Sequence, residues 1–140
     1  RLIGAGQRCL ELACQRVEDR ETFGKKLSQH QSIRENIAKS YAELEMARLL
    51  VHKTCWHIDH HGVKPSIELI SATKISVPLM IQAIIDRCMQ MHGAGGLTED
   101  WCMAEQFNYA RWCRQADGPD EVHQMALGKR IIQQFAEASN

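Results

Sequence analysis

The stretch Ala116-Asp117-Gly118-Pro119-Asp120-Glu121-Val122-His123 gathers the groups best placed to do chemistry. It sets a carboxylate, Asp117, at the mouth of a helix, where a general base can meet a substrate. Pro119 suits the first helical position, because its missing N–H has no intrahelical partner there in any case. Asp120 and Glu121 then fall in the first turn, where the helix dipole favours negative charge. Gly118 frees the backbone just before that start. Asp117 is therefore expected on a short, stiff turn ahead of a helix packed through the stripe Val122, Met125, Ala126, Lys129, Ile132 and Ala136. A solvated turn acid fits the same local pattern, so the rest of the chain must decide.

Two other segments carry polar groups at helix ends: RETFGKKLSQHQ (20–31) and QMHGAGGLTED (90–100). A guanidinium such as Arg20 is always charged and binds phosphate oxygens in a fork. A glycine-rich turn lets backbone approach an anion, and it is equally the usual cap of a helix C-terminus. His57 and His61, four apart, share a helix face and form a possible metal pair. A helix C-terminus rich in His is favoured by the dipole alone. No Cys/His set has zinc spacing, and paired Glu-x-x-His motifs are absent, so no metal is expected.

The elements that position these groups read as all-α. The first helix, 2–18, carries Leu2, Ala5, Cys9, Ala13 and Val17 on one face. A break follows at 20–24. A long helix, 29–61, has the stripe Ile33, Ile37, Tyr41, Leu44, Ala47, Val51, Cys55 and Ile58, and Gly62 stops it. The third helix, 66–91, contains Pro78, which predicts a kink or a break. A shorter helix covers 98–112 with Thr98 as N-cap, and the last covers 119–138. No β-hairpin signal occurs. The architecture predicted is an antiparallel up-and-down bundle of four main helices plus a short fifth, one domain over residues 1–140.

Composition narrows the function classes. The 140 residues are 44% hydrophobic, with 17 basic and 17 acidic side chains and no net charge. Nucleic acid is not an expected partner, since phosphate binding needs a basic excess. No apolar run approaches the length of a membrane span, and no signal peptide is visible. Six scattered cysteines without a C-x-x-C pair suit reduced thiols in an intracellular compartment. The chain opens without Met and reads as a fragment or processed piece of a longer protein.

Taken together, the three segments resemble the C-terminal helical domain of the acyl-CoA dehydrogenases, with wording in A-D-G-P-D-E-V-H most similar to the divergent ten/eleven branch. The resemblance covers essentially the whole chain. It implies a flavoenzyme that oxidises fatty acyl-CoA to 2-enoyl-CoA, with FAD held between this domain and a β domain outside the chain. Asp117 matches the catalytic carboxylate, and Gly118 falls at the substrate. Arg20 matches an arginine that reaches FAD phosphates across a subunit boundary. Phe23 matches an aromatic beside the cofactor, and packing of the inter-helix corner is its alternative reading. His30 and Gln31 match a pair that contacts flavin. Gln90, Met91, His92, Gly93 and Ala94 match the turn along a neighbour's FAD, with Ala94 where the family has glycine. Pro119, Asp120 and Glu121 match positions that touch FAD after the acid.

The same resemblance implies a homodimer or homotetramer through the helical domain, electron-transfer flavoprotein or oxygen as electron acceptor, and a mitochondrial or peroxisomal setting. Two departures stand out. Aspartate replaces the family's usual glutamate, which shortens the reach by roughly 1.5 Å. Asn108-Tyr109 replaces the usual Arg-Asp, leaving Arg111 and Arg114 to take over pairing. Some family members carry the base on an earlier helix, upstream of Arg1. Two readings follow: an FAD-dependent dehydrogenase with Asp117 as base, or a weak or inactive flavoprotein bundle that retains FAD and builds the oligomer.

Overall fold

Apolar side chains spaced three and four apart give each helix one face to bury, and five helices result. The computed structural model describes residues 1–139. Helix α1 (Leu2–Asp19) buries Cys9, Ala13 and Val17, as its stripe predicts. Helix α2 (Gln31–His61) buries Leu44 and Ala47 and ends at Gly62, whose φ of 83° no β-carbon opposes. Tyr41 and Cys55, placed on the same stripe by spacing, are exposed. Helix α3 (Ile67–His92) is unbroken through Pro78, which is buried. Helices α4 (Met103–Cys113) and α5 (Asp120–Ala138) complete the set.

Helix α3 is the axle. Its Ile81, Ile84, Ile85 and Cys88 are wholly buried, each isoleucine worth about 1.5–3 kcal/mol of burial. A β-carbon at Gly6 of α1 would stand 3.0 Å from Ile81 Cδ1 and 3.5 Å from Leu44 Cδ1, so three helices meet at that glycine. Cross-links show the directions. Thr54 and Thr73 hydroxyls lie 2.7 Å apart at one end of the α2–α3 pair, and Arg87 donates to Ser40 at the other. Those two helices are antiparallel. Lys74 Nζ donates to the Cys113 carbonyl (2.6 Å) at the C-terminus of α4, and Trp101, just before its start, meets His92 at the far end of α3, so α4 runs back along α3. The up-and-down order holds.

Four local expectations change. Residues 20–26 form a hairpin: β1 (Glu21–Thr22) pairs antiparallel with β2 (Lys25–Lys26) across Phe23-Gly24. Both loop residues have positive φ, 52° and 76°, as a type I′ turn requires, without the Asn-Gly that usually announces one. Helix α4 starts at Met103, not at 98; the Thr98 hydroxyl instead donates to Gly95 O (2.8 Å) and closes the glycine turn Gly93–Leu97. Pro119 is the N-cap of α5, and the helix begins at Asp120. The span Lys64–Leu97 does have the length and hydropathy (1.4) of a membrane crossing; it is apolar because α3 touches every other long helix.

Helix α5 departs most. Met125 and Ile132 of its predicted apolar stripe face outward (both 71% exposed), as does Phe135 (73%), although the helix lies against α3.

Two glycines test the packing. A β-carbon on Gly96 would sit 2.7 Å from the Met89 carbonyl oxygen, whereas one on Gly128, inside α5, meets nothing within 4 Å. Gly96→Ala should lower unfolding stability by about 1–3 kcal/mol. Gly128→Ala should raise it by up to about 1 kcal/mol. Urea titrations of both variants check this, and equal midpoints would contradict the packing at the turn.

Candidate active site

The site residues predicted from sequence fall into two groups, at opposite ends of α3. Thr73 and Lys74 line the cleft that holds Asp117, whereas Gln90 to His92 close the other end of α3. At 1.5 Å per residue the groups stand roughly 25 Å apart.

At the Asp117 end, α4 stops at Cys113 and the chain turns back into α5 through residues 114–119. Arg114 closes this loop twice. Its carbonyl accepts the Asp120 N–H (3.2 Å), and its Nε donates to Asp120 Oδ2 (2.7 Å). Asp120 is 4% exposed. One of its oxygens is thus spent on Arg114, the pairing role left open for Arg114 by the loss of Arg-Asp. Its Oδ1 is buried without a partner among the described residues. Glu121 and Pro119 lie at the surface.

With the loop closed, Asp117 and Gly118 both adopt left-handed backbone, φ 56° and 100°. Asp is among the few side-chain-bearing residues that tolerate this region. The conformation aims the exposed Asp117 at a cleft of about 560 Å³. Leu2, Ile3, Val77, Pro78 and Trp112 supply its apolar walls, with Lys74 half-buried between them. Lys74 holds the end of α4 through the Cys113 carbonyl. A carboxylate at the rim of an apolar cleft can take a proton from a carbon acid whose tail lies in the cleft. Arg1 lines the same cleft.

The second end gathers the hairpin, the start of α2 and the glycine turn. Arg20 is exposed, and its carbonyl is fixed by the Leu27 N–H (2.8 Å). Lys26 is paired with Glu18 (3.2 Å), and hydrogen bonds from Ser28 and Lys26 hold the Glu18 carboxyl below its usual range. Phe23 is 98% exposed at the hairpin tip, which removes its corner-packing alternative. Gln31 donates to Glu35 (2.7 Å). His30 is the N-cap of α2, and its Nε2 is buried without a partner among the described residues.

The segment Gln90 to Ala94 is divided. Gln90, Gly93 and Ala94 reach the surface, while Met91 and His92 are each 4% exposed and point into the core. Gly93 has φ 62° and open space around it. His92 donates Nδ1–H to the Cys88 carbonyl (2.9 Å) and meets Trp101 edge-on at 4.7 Å.

The remaining clusters hold no centre. His57 and His61 rings stand 4.5 Å apart, but His57 Nδ1 is 2.8 Å from Ser66 Oγ and His60 stacks on Trp56. No group of three or more His, Cys, Asp or Glu is assembled for a metal among the described residues. All six cysteines are free thiols. Burial, and then its neighbour Cys102, pushes the Cys9 thiol up to about 12, and burial does the same to Cys88. Sequence reasoning passed over Lys74 and His123. Lys74 is brought in from α3, and no local pattern announces it. His123 belongs to the Asp117 motif itself, and its Nε2 donates to the Asp117 carbonyl (3.1 Å).

Burial of His92 predicts an acid-side instability. Desolvation lowers its pKa below the ordinary 6.5, more than the Cys88 hydrogen bond raises it. The folded chain then binds fewer protons than the unfolded one. The contribution is complete above pH 6.5 and is lost as pH falls below it. His92→Gln should flatten the decline of stability as pH falls below about 6.5. Identical slopes for the two proteins in urea titrations would contradict this.

The family profile "Acyl-CoA dehydrogenase, C-terminal domain" matches residues 1–132. Acyl-CoA dehydrogenase family member 11 of Gallus gallus is 41% identical over 129 residues, 92% of this chain and 17% of that protein. A Mycobacterium abscessus protein described as an acyl-CoA dehydrogenase superposes with a TM-score of 0.93 at 38% identity, over 96% of this chain and 33% of that one. Glutaryl-CoA dehydrogenase from Mycobacterium smegmatis, solved in complex with FADH2, gives 0.87 at 28% identity, over 93% and 33%. The chain thus spans between a sixth and a third of these relatives. Matched so nearly from end to end, with its acid turn and glycine turn in place, it belongs to the acyl-CoA dehydrogenase family as the C-terminal helical domain.

Proposed function

We propose that the full-length protein is an FAD-dependent dehydrogenase that converts fatty acyl-CoA thioesters to 2-enoyl-CoA, with Asp117 as the base. The observation that carries this reading is Asp117 itself, held in left-handed backbone at the rim of the apolar 560 Å³ cleft. An acyl chain lying along Val77, Pro78 and Trp112 brings its α-carbon toward the rim. The Asp117 carboxylate takes the α-proton and holds it, while Gly118 leaves room for the thioester. Lys74 and Arg114 fix the two helices that carry the turn, so the acid is placed before substrate arrives.

The residues present fit the cofactor. Phe23 stands fully exposed in a backbone region that costs a bulky residue about 1–3 kcal/mol. Nothing else in the described chain accounts for that placement, and an adenine or flavin ring covering it does. Arg20 presents a free fork beside the hairpin for phosphate, a charge-assisted contact worth about 1.5–3 kcal/mol. Gly93 offers approachable backbone. FAD, when bound, supplies the acceptor for the hydride that leaves the β-carbon. Arg20, Phe23, His30, Gln31, Gln90, Gly93 and Ala94 would hold one FAD, and Pro119 and Glu121 would approach another beside Asp117. Met91, His92 and Asp120 support these surfaces from within.

The 25 Å separation supports an oligomer in which each chain serves its own flavin at one end and a neighbour's at the other. The exposed apolar face of α5 (Met125, Ile132, Phe135) and the Tyr41, Leu49 and Trp56 face of α2 are the surfaces for a dimer or tetramer. Electron-transfer flavoprotein or oxygen would reoxidise the flavin. Six free thiols suit the reduced interior of a mitochondrion or peroxisome. A second reading has its own observation. Aspartate, one methylene short of the family's glutamate, suits a bundle that keeps FAD and catalyses weakly, or a full-length protein whose base comes from elsewhere, and Arg1 itself lines the cleft.

Asp117→Asn separates these readings. In the full-length protein flavin content should persist, while anaerobic flavin bleaching by acyl-CoA should slow by roughly 10²–10⁴-fold. Asp117→Glu should not exceed the wild type, because glutamate fits a left-handed φ less readily than Asp. Unchanged bleaching in Asp117→Asn would transfer the base to an upstream carboxylate.

A further inference from the structure

The turn that carries Asp117 is held by a side chain from the helix that follows it. Left-handed backbone at two successive residues, with only the second a glycine, persists where surrounding contacts over-determine it. The Arg114–Asp120 pair closes the loop ends but does not reach the peptide between Asp117 and Gly118. His123, in the first turn of α5, does. Its Nε2 lies 3.1 Å from the Asp117 carbonyl oxygen. A carbonyl only accepts, so Nε2 carries a proton and donates. The ring also lies over Gly118, where a β-carbon would come within 3.2 Å of Nε2. On its other side Nδ1 is 3.5 Å from the hydroxyl of Ser71, which is 6% exposed. Ser71 belongs to α3, two and three residues before the cleft-lining Thr73 and Lys74.

We propose that His123 is a positioning residue for the dehydrogenation, a strut between α3 and the catalytic turn that fixes the direction of the Asp117 carboxylate. The proposal rests on Asp117 being the base. It also accounts for how a shorter acid serves. Aspartate has one fewer torsion than glutamate, so its oxygens go where the backbone sends them. The backbone direction at Asp117 is set by the peptide that His123 holds. Displacing a catalytic group by about 1 Å costs on the order of 10²-fold in rate. A loosened Asp117 peptide should therefore appear in the chemical step and leave binding alone.

The test uses the full-length flavoprotein and four proteins: wild type, His123→Ala, His123→Gln and Asp117→Asn. Flavin content and the spectral titration with acyl-CoA report assembly and binding. Anaerobic flavin reduction, with acyl-CoA carrying protium or deuterium at the α-carbon, reports the step. His123→Ala should keep both flavin and acyl-CoA affinity, slow reduction by roughly 10–100-fold and enlarge the α-deuterium isotope effect. His123→Gln, whose side-chain N–H can reach the same carbonyl, should recover most of the rate. Asp117→Asn must slow reduction in the same series. If it does and His123→Ala reduces flavin at the wild-type rate, the strut is refuted and the base stands. If Asp117→Asn reduces normally, the base reading fails first and the strut has nothing to position. Equal loss in His123→Ala and His123→Gln, or loss that follows flavin content, would also overturn the proposal, since a merely structural role predicts it.

Discussion

Everything in this domain hangs on the seam along α3. Ile81, Ile84, Ile85 and Cys88 exclude solvent completely, and the buried cluster they belong to draws side chains from α1, α2 and α4. At Gly6 the approach of α1 to Ile81 is so close that any side chain would intrude. A buried seam of this kind fixes rotation and register together, because a shift of one residue turns an apolar face by about 100° and exposes it. Once α3 is set, α1 and α3 deliver their C-termini to one end of the bundle, and α4 delivers its own to the other. The candidate groups then fall at two ends of the bundle, roughly 25 Å apart along α3.

The two ends differ in how they are made ready. At the Asp117 end the chain supplies its own constraints: an ion pair between Arg114 and Asp120, a lysine on a helix-terminal carbonyl, and a histidine on the turn peptide. Desolvation at Asp120 is balanced by its charged partner, and the pair's value lies in shape as much as in energy. At the hairpin end constraints are made and left unused. Phe23 is strained and bare, Arg20 has fixed backbone and an exposed side chain, and the Gly93 peptide is open. In the proposed function such surfaces are half of an interface, and the exposed apolar faces of α2 and α5 suit the same reading on a larger scale.

Helical periodicity made α1, α2 and α3 legible, because their buried positions recur at three and four residues and tertiary context agrees with them. Glycine and proline marked the ends at Gly62 and Pro119 to within a residue. What stayed hidden depended on contacts distant in sequence or on backbone geometry that residue type does not announce. A Phe-Gly pair does not signal a type I′ turn, so the hairpin at 21–26 was missed. Thr98 looked like a helix cap and instead closes the preceding turn, because Trp101 is drawn onto His92. Helix α5 lies against α3 yet leaves Met125, Ile132 and Phe135 exposed, so periodicity promised a burial that these positions do not have. Asp117 and Arg20 were legible because motif and helix ends coincide there. Lys74 was not, since only the α3–α4 packing brings it to the cleft.

The central claim is that the two ends of one chain serve two different flavins. Mixed oligomers test it most directly. Full-length subunits carrying Arg20→Ala are assembled with full-length subunits carrying Asp117→Asn, and the doubly tagged mixed dimer is purified. If each chain lends Arg20 to its neighbour's flavin, one of the two sites receives both lesions and the other receives none. The mixed dimer should then show about half the wild-type rate of flavin reduction, although both parents are poor. If Arg20 and Asp117 serve the same flavin, every site carries one lesion. A mixed dimer no faster than the mean of its parents would contradict the account.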